Sequence, residues 1–438
     1  MKKIVLTLLS LLVSALVIAG STRAESYISN ITSYPSDNKV PNIIFNNFVT
    51  TSEGKIIFRT GKTEGTNNEN EFNIVTFDPL NNQYKLDPIP SVGPNIQDRA
   101  SLGTTAIDSD DNIWFTDTEV ADVNNYTGSS TNYIHKITPT GQKFDYVLPS
   151  LQANGCDAAL FGLEFMPNGE LWGYGGDIDV CNSAPGGIIV RINPVNGSII
   201  NTYETDLGYI GGLYQISDTL IGYYGVPFDN NGKSFGYLNK SSGVYTSIAS
   251  GGGILSKPVL AKDGNYWATT SNDSGYQFIR INSDNSFDKF EAPTTYFSNL
   301  AVGKDGEIWF YSVDIHDGYT GSIGRLNLDG SYRITEQIGK KYIMYMSYIE
   351  KTKVIWALSI DTDEWYPNGG GNSTGFPTEL ISLELADNSQ STQTITPKIP
   401  RSGLVNQIML AVIILICTLT AITVFTIRKM KMSKLIVK

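Results

Sequence analysis

Three acidic clusters hold the side chains of this chain best suited to chemistry. They are Asp177 and Asp179 in DID, Asp314, His316 and Asp317 in DIHD, and Asp361, Asp363 and Glu364 in DTDEWY. Closely spaced carboxylates are the hard oxygen ligands that Ca²⁺ and Mg²⁺ take. A divalent cation held by Asp177, Asp179, Asp314, Asp317, Asp361 or Asp363 is therefore one reading. No run carries the full calcium-loop spacing with its glycine and terminal glutamate, so solvated loop charge is the other. Trp365 and Tyr366, beside Asn368 and three glycines, offer rings on which a sugar or a peptide can stack.

Material for acid–base or nucleophilic catalysis is thin. The chain has two histidines, His135 within YIHKI and His316 in a loop, and neither stands near a cysteine or at ligand spacing from the other. Glu164, in FGLEFM, can face a channel or a neighbouring sheet. There is no phosphate-cradling glycine loop and no G-x-S-x-G elbow. Of three cysteines, Cys417 lies in an apolar segment, leaving Cys156 and Cys181 as the exterior pair. In an oxidising compartment these two are expected to form a disulfide, with two free thiols as the alternative.

These residues are positioned by a repeat. A polar turn, a hydrophobic residue and a tryptophan recur as SDDNIWFTD, PNGELWGY, KDGNYWATT, KDGEIWFYS and KTKVIWALS. Two copies, around Ile57 and Ile221, lack the ring. Equating Ile57, Trp114, Trp172, Ile221, Trp267, Trp309 and Trp356 gives steps of 57, 58, 49, 46, 42 and 47 residues. Such periods signal a repeat architecture. Each copy reads as four short strands with alternating apolar residues, and Asp-Gly or Asn-Gly turns supply the φ > 0 positions of tight hairpins. Radial repetition satisfies such units, so the expected fold is all-β, a seven-bladed β-propeller with tryptophan filling the gaps between blades. The seventh copy lacks a fourth strand, and SYISNITSY at Ser26 to Tyr34 has no other partner. The N-terminal strand is expected to close the last blade.

The flanks carry their own signals. Residues 1–24 read as a signal peptide, with Lys2 and Lys3 ahead of an apolar run. Residues 25–386 form the ectodomain, 387–403 a polar linker, 404–427 a transmembrane helix, and 428–438 a basic tail. The charge-free stretch Ile408 to Ile427 is long enough to span a bilayer, and the cations after it put the tail in the cytoplasm. Ile399, Pro400, Arg401, Ser402 and Gly403 resemble a sortase sorting motif, so wall attachment competes with a permanent single-pass anchor. The chain carries a net charge of −11. Between the signal peptide and the tail, 24 basic residues meet 43 acidic ones, a net −19 that opposes nucleic-acid binding.

DSDDNIWFTD, KDGNYWATT and KDGEIWFYS resemble the repeats of virginiamycin B lyase and of NHL-type and gluconolactonase-like propellers. That resemblance implies a six- or seven-bladed ring, and a magnesium-dependent centre with histidine and glutamate acid–base groups on one face. No catalytic residue carries over to a numbered position here. The expectation is therefore a monomeric, surface-anchored extracellular propeller that binds a protein, glycan or small ligand on its long-loop face, without catalysis. Its alternative is a Mg- or Ca-dependent lyase or lactone hydrolase centred at the channel mouth.

Overall fold

A computed structural model describes residues 28–35, 47–62, 71–89, 99–102, 104–120, 130–177, 186–226, 233–249, 253–254, 256–272, 275–293, 296–314, 320–361 and 378–385. All regular structure in them is β, and the named strands pair antiparallel with their sequence neighbours. The simplest sheet runs Phe48–Thr50, Ile56–Lys62, Glu71–Asp78, Gln83–Ile89 in chain order. Tyr296–Val302, Ile308–Asp314, Thr320–Leu326 and Tyr332–Gly339 repeat that plan. In two sheets the first strand is broken into short pieces, Arg99–Leu102 with Ala106–Ile107 and Gly253–Ile254 with Val259–Leu260. The strands from Gln152–Ala153 to Tyr245–Ala249 make a nine-stranded sheet, but its two halves pair as strands only at Gly176 and Tyr209.

The repeat motif fixes the turn between first and second strands. Three residues before every repeat-defining Trp or Ile except Ile221, the backbone is left-handed: Gly54 at φ 85°, Gly169 at 81°, Gly264 at 78° and Gly306 at 73°. Asp111 at 60° and Lys353 at 57° adopt the same conformation without glycine. Only glycine reaches this region without steric cost, which is why the turns favour it.

Apolar clusters then join consecutive sheets. Trp114 packs with Leu160, Leu171 and Ile188 of the next sheet. Trp172 packs with Leu213 and Tyr223, Trp267 with Leu300 and Phe310, and Trp309 with Ile343 and Ile355. Trp356 closes the circuit by packing with Phe58 and Phe77 of the first sheet. Each tryptophan is at most 2% exposed, so the ring's large apolar area is spent between sheets, as the repeat predicts.

The first and last described strands meet as the N-terminal segment requires. Ile28–Pro35 pairs antiparallel with Thr378–Leu385, from Ile28 opposite Leu385 to Pro35 opposite Glu379. It is the outer strand of the sheet formed by Lys341–Ile349, Val354–Asp361 and Thr378–Leu385. Among the described residues no helix is long and apolar enough to cross a membrane. The predicted signal peptide, linker, sorting motif and membrane helix all lie outside the described residues.

Candidate functional site

One strand of every sheet, or a residue beside it, borders a central cavity of about 400 Å³, and in the last sheet this is Lys341–Ile349. Asn47, Thr104, Glu164, Gly211, Lys257, Asn299 and Tyr345 reach it, Glu164 and Gly211 from the two halves of the nine-stranded sheet and the others from one sheet each. That placement follows from the topology: first strands lie at the inner edge, and their side chains alternate between the cavity and the packing with neighbours. Thr104 makes an isolated parallel bridge to Gly162, joining two sheets beside the cavity. A Cβ on Gly162 would lie 2.2 Å from the Thr104 hydroxyl and 2.4 Å from that of Tyr174, so only glycine permits this approach.

One ion pair crosses the cavity. Lys257 Nζ donates to Glu164 Oε1 at 2.6 Å, linking residues 93 positions apart. Burial works against the Lys257 ammonium, yet the Glu164 carboxylate outweighs it and raises the lysine above its ordinary 10.5. Tyrosines surround the pair. Burial, reinforced by the Glu164 charge, pushes the Tyr174 phenol well above its usual range, although Thr104 shares a 2.6 Å hydrogen bond with it. Burial likewise raises Tyr224 and Tyr345. At neutral pH the site thus presents a fixed ammonium and neutral phenols. Those groups donate hydrogen bonds and have no proton transfer poised near pH 7.

A second polar group lies between sheets instead of in the cavity. His135 is 3% exposed, with Nδ1 2.7 Å from Asp145 Oδ1 and its ring stacked 4.8 Å from Phe115. Nε2 lies 4.0 Å from Asp117 Oδ2. The buried Arg59 guanidinium sits 4.7 Å over Phe115 and donates to the Thr116 carbonyl. Burial lowers His135 below its ordinary 6.5 against the pull of Asp145. This histidine acts as a hydrogen-bonded core residue.

The acidic candidates divide. Asp177 and Asp314 end the strands Leu171–Asp177 and Ile308–Asp314, and Asp361 ends Val354–Asp361. All three stand five residues after their tryptophan, which makes them equivalent in register. Asp179, Asp317 and Asp363 lie outside the described residues, as do His316, Trp365 and Tyr366. Among the described residues no three His, Cys, Asp or Glu side chains converge as a metal site. Cys156 is buried and its sulfur is in a disulfide; Cys181 lies outside the described residues. Glu164 was readable as a channel residue. Lys257 was not, because GGGILSKP has no strand alternation and gives no local sign of an inward cation. The cavity tyrosines read from sequence as ordinary packing.

No protein-family model matches this chain, and no curated protein matches it in sequence. Solved structures match it in fold. Catalytically inactive virginiamycin B lyase from Staphylococcus aureus, determined with quinupristin, is 18% identical and has a TM-score of 0.52, covering 81% of this chain and 99% of its own. A streptogramin B lyase structure is 16% identical with a TM-score of 0.51, covering 81% of this chain and 98% of that one. Likeness at these identities speaks for architecture and not for activity. The chain is a β-propeller of the kind that virginiamycin B lyase has.

Proposed function

We propose that this chain is a seven-bladed propeller that binds a small polar ligand in its central cavity and does no chemistry on it. In this reading the nine-stranded sheet is two blades in edge contact, and Ile28–Pro35 supplies the last blade's outer strand. The observation that carries the proposal is the Glu164–Lys257 pair, set in a tyrosine-lined cavity that every sheet borders. A cavity of about 400 Å³ falls within the range of about 300–1,000 Å³ usual for small-molecule sites. Its charged lysine and neutral phenols suit recognition better than proton transfer. The propeller is carried outside the cell on the apolar segment 404–427, either left as an anchor or cut within Ile399–Gly403. Cys156 and Cys181 form its disulfide.

The second reading is a Mg- or Ca-assisted lyase or lactone hydrolase. Likeness in fold to virginiamycin B lyase and the shared register of Asp177, Asp314 and Asp361 favour it. Calorimetric titration of the full-length chain with Mg²⁺ and Ca²⁺, followed by chromatography and fragment-mass analysis of quinupristin incubated with it, separates the two, since elimination opens the ring without a change of mass and hydrolysis adds one water. Absence of metal binding together with an unopened quinupristin ring overturns this second reading; metal-dependent opening of the ring overturns the first. Mass analysis of the mature chain decides the anchor, since an intact Lys438 excludes cleavage at Ser402.

A further inference from the structure

We infer that the occupant of the central cavity is a neutral, hydroxyl-rich ring of one or two sugar units. This rests on the reading of that cavity as a binding site. The cavity's charged lining is Glu164 and Lys257, whose charges cancel at 2.6 Å. A net cation or anion brought beside a cancelled pair gains no complementary charge and still loses its own hydration. Charge balance therefore selects a neutral guest.

The unspent hydrogen-bonding capacity narrows the class. An ammonium has three donors, and Lys257 spends one of them on Glu164. The Glu164 carboxylate keeps further lone pairs for incoming donors. A hydroxyl both donates and accepts. Neighbouring hydroxyls on one ring can accept from Nζ and donate to the carboxylate together, leaving the ion pair closed. A carboxylate guest only accepts and an ammonium only donates, so each leaves one side of the pair unserved. Around this polar centre Tyr209, Tyr342, Tyr345, Leu300 and Met344 give the walls aromatic and aliphatic faces, set among polar Asn47, Thr104, Ser256 and Asn299. Such faces pack against the C–H face of a sugar, while phenolic hydroxyls at their edges bond its rim. Tyr209 remains 43% exposed at the cavity wall, its ring edge-on to Phe161 at 5.8 Å.

Gly211 gives a clean test of place. It lines the cavity, and a Cβ added there would meet nothing closer than Tyr224 at 3.4 Å. Gly211→Met fills the cavity from ordinary backbone geometry, and Gly211→Ser is a smaller control. The experiment is calorimetric titration of the full-length chain with glucose, galactose, N-acetylglucosamine, maltose and sucrose, and with alanine, phenylalanine, citrate and spermidine. At least one saccharide should bind, about tenfold or more weakly in Glu164→Gln and in Gly211→Met, with thermal midpoints confirming that both variants fold. If Gly211→Met fails to fold, Gly211→Ser carries the same comparison with a smaller loss. Saccharide binding that neither Gly211 variant alters overturns the cavity as the site. Binding of an amino acid, citrate or spermidine in place of saccharides, lost in Gly211→Met, overturns the ligand class and leaves the cavity standing. Absence of saccharide binding overturns the inference.

Discussion

Tyr34 places its ring 5.1 Å from that of Trp356, at an interplanar angle of 39°. The contact joins the N-terminal strand to the tryptophan of the last repeat. It also reaches the first sheet: Tyr34 lies edge-on to Phe77 at 5.3 Å, and the Tyr84 hydroxyl donates to the Tyr34 carbonyl at 2.6 Å. One residue of the N-terminal strand thus touches Val354–Asp361 of its own sheet and two neighbouring strands of the first sheet. Tyr34→Ala should lower stability by about 2–4 kcal/mol through lost aromatic packing. Tyr34→Phe should cost far less, because the ring makes most of these contacts. Denaturant unfolding of the three proteins checks this, and equal midpoints for wild type and Tyr34→Ala would discard the closure argument.

Lys353 offers a gain in the opposite direction. Its φ of 57° occupies the conformation that Gly264 and Gly306 supply in the KDG turns, yet the seventh copy reads KTK. The turn is still closed by the Lys353 amide donating to the Ile349 carbonyl at 2.8 Å. Lys353→Gly relieves the left-handed strain and gives back some of that gain in unfolded-chain entropy. A net stabilisation of about 0.5–1 kcal/mol is expected, read as a shift in the unfolding midpoint. A drop would show that the lysine side chain contributes more than its backbone costs.

The reach of the sequence stops where partners stop being local. The tryptophan register and the glycine turns follow from spacing and alternation, because hairpins are built from neighbours; the distant pairing of Ile28–Pro35 with Thr378–Leu385 was legible for another reason, the fourth strand that the last repeat lacks. His135 and Asp145 were also within reach: they are opposite each other across the hairpin that turns at Gly141. Glu164 and Lys257 were not, since ring geometry alone brings their sheets to a common centre. Tyr174, Tyr224 and Tyr345 alternate like any buried strand residue, so nothing local distinguishes a cavity wall from a core.

His135 should titrate below its ordinary 6.5. Burial disfavours the imidazolium, while Asp145 and Asp117 favour it and the Arg59 guanidinium opposes it. The unfolded chain therefore takes up the proton first as pH falls. Stability contributed by this group is complete above pH 6.5 and declines below it until the folded-state value is passed. Proton NMR of the imidazole, assigned by comparison with His135→Phe, should give a midpoint under 6.5. The same variant keeps the stack on Phe115 and should flatten the stability profile between pH 6.5 and 5. A midpoint above 6.5 would mean that the two aspartates prevail over burial.

Glu170 governs a separate, more acidic window. Its Oε1 accepts from Arg191 and its Oε2 from Lys240, each at 2.7 Å, and the Trp172 indole approaches Oε2 at 3.4 Å. Burial alone would raise this carboxyl, but Lys240, Asn168 and Arg191 overcome it and hold the group below its ordinary 4.5. Because the folded form releases the proton more readily, its contribution is full above pH 4.5 and is lost as pH falls through the lower folded-state value. Glu170→Gln removes both charge-assisted bonds and leaves Lys240, whose side chain is 8% exposed, facing a neutral amide. At pH 7 the variant should lose about 1–3 kcal/mol, and below pH 4 the difference from wild type should shrink. Unfolding curves for both proteins from pH 3 to 7 test the sign. A gap that stays constant across that range would assign the loss to packing around Trp172, with no part for the carboxylate's charge.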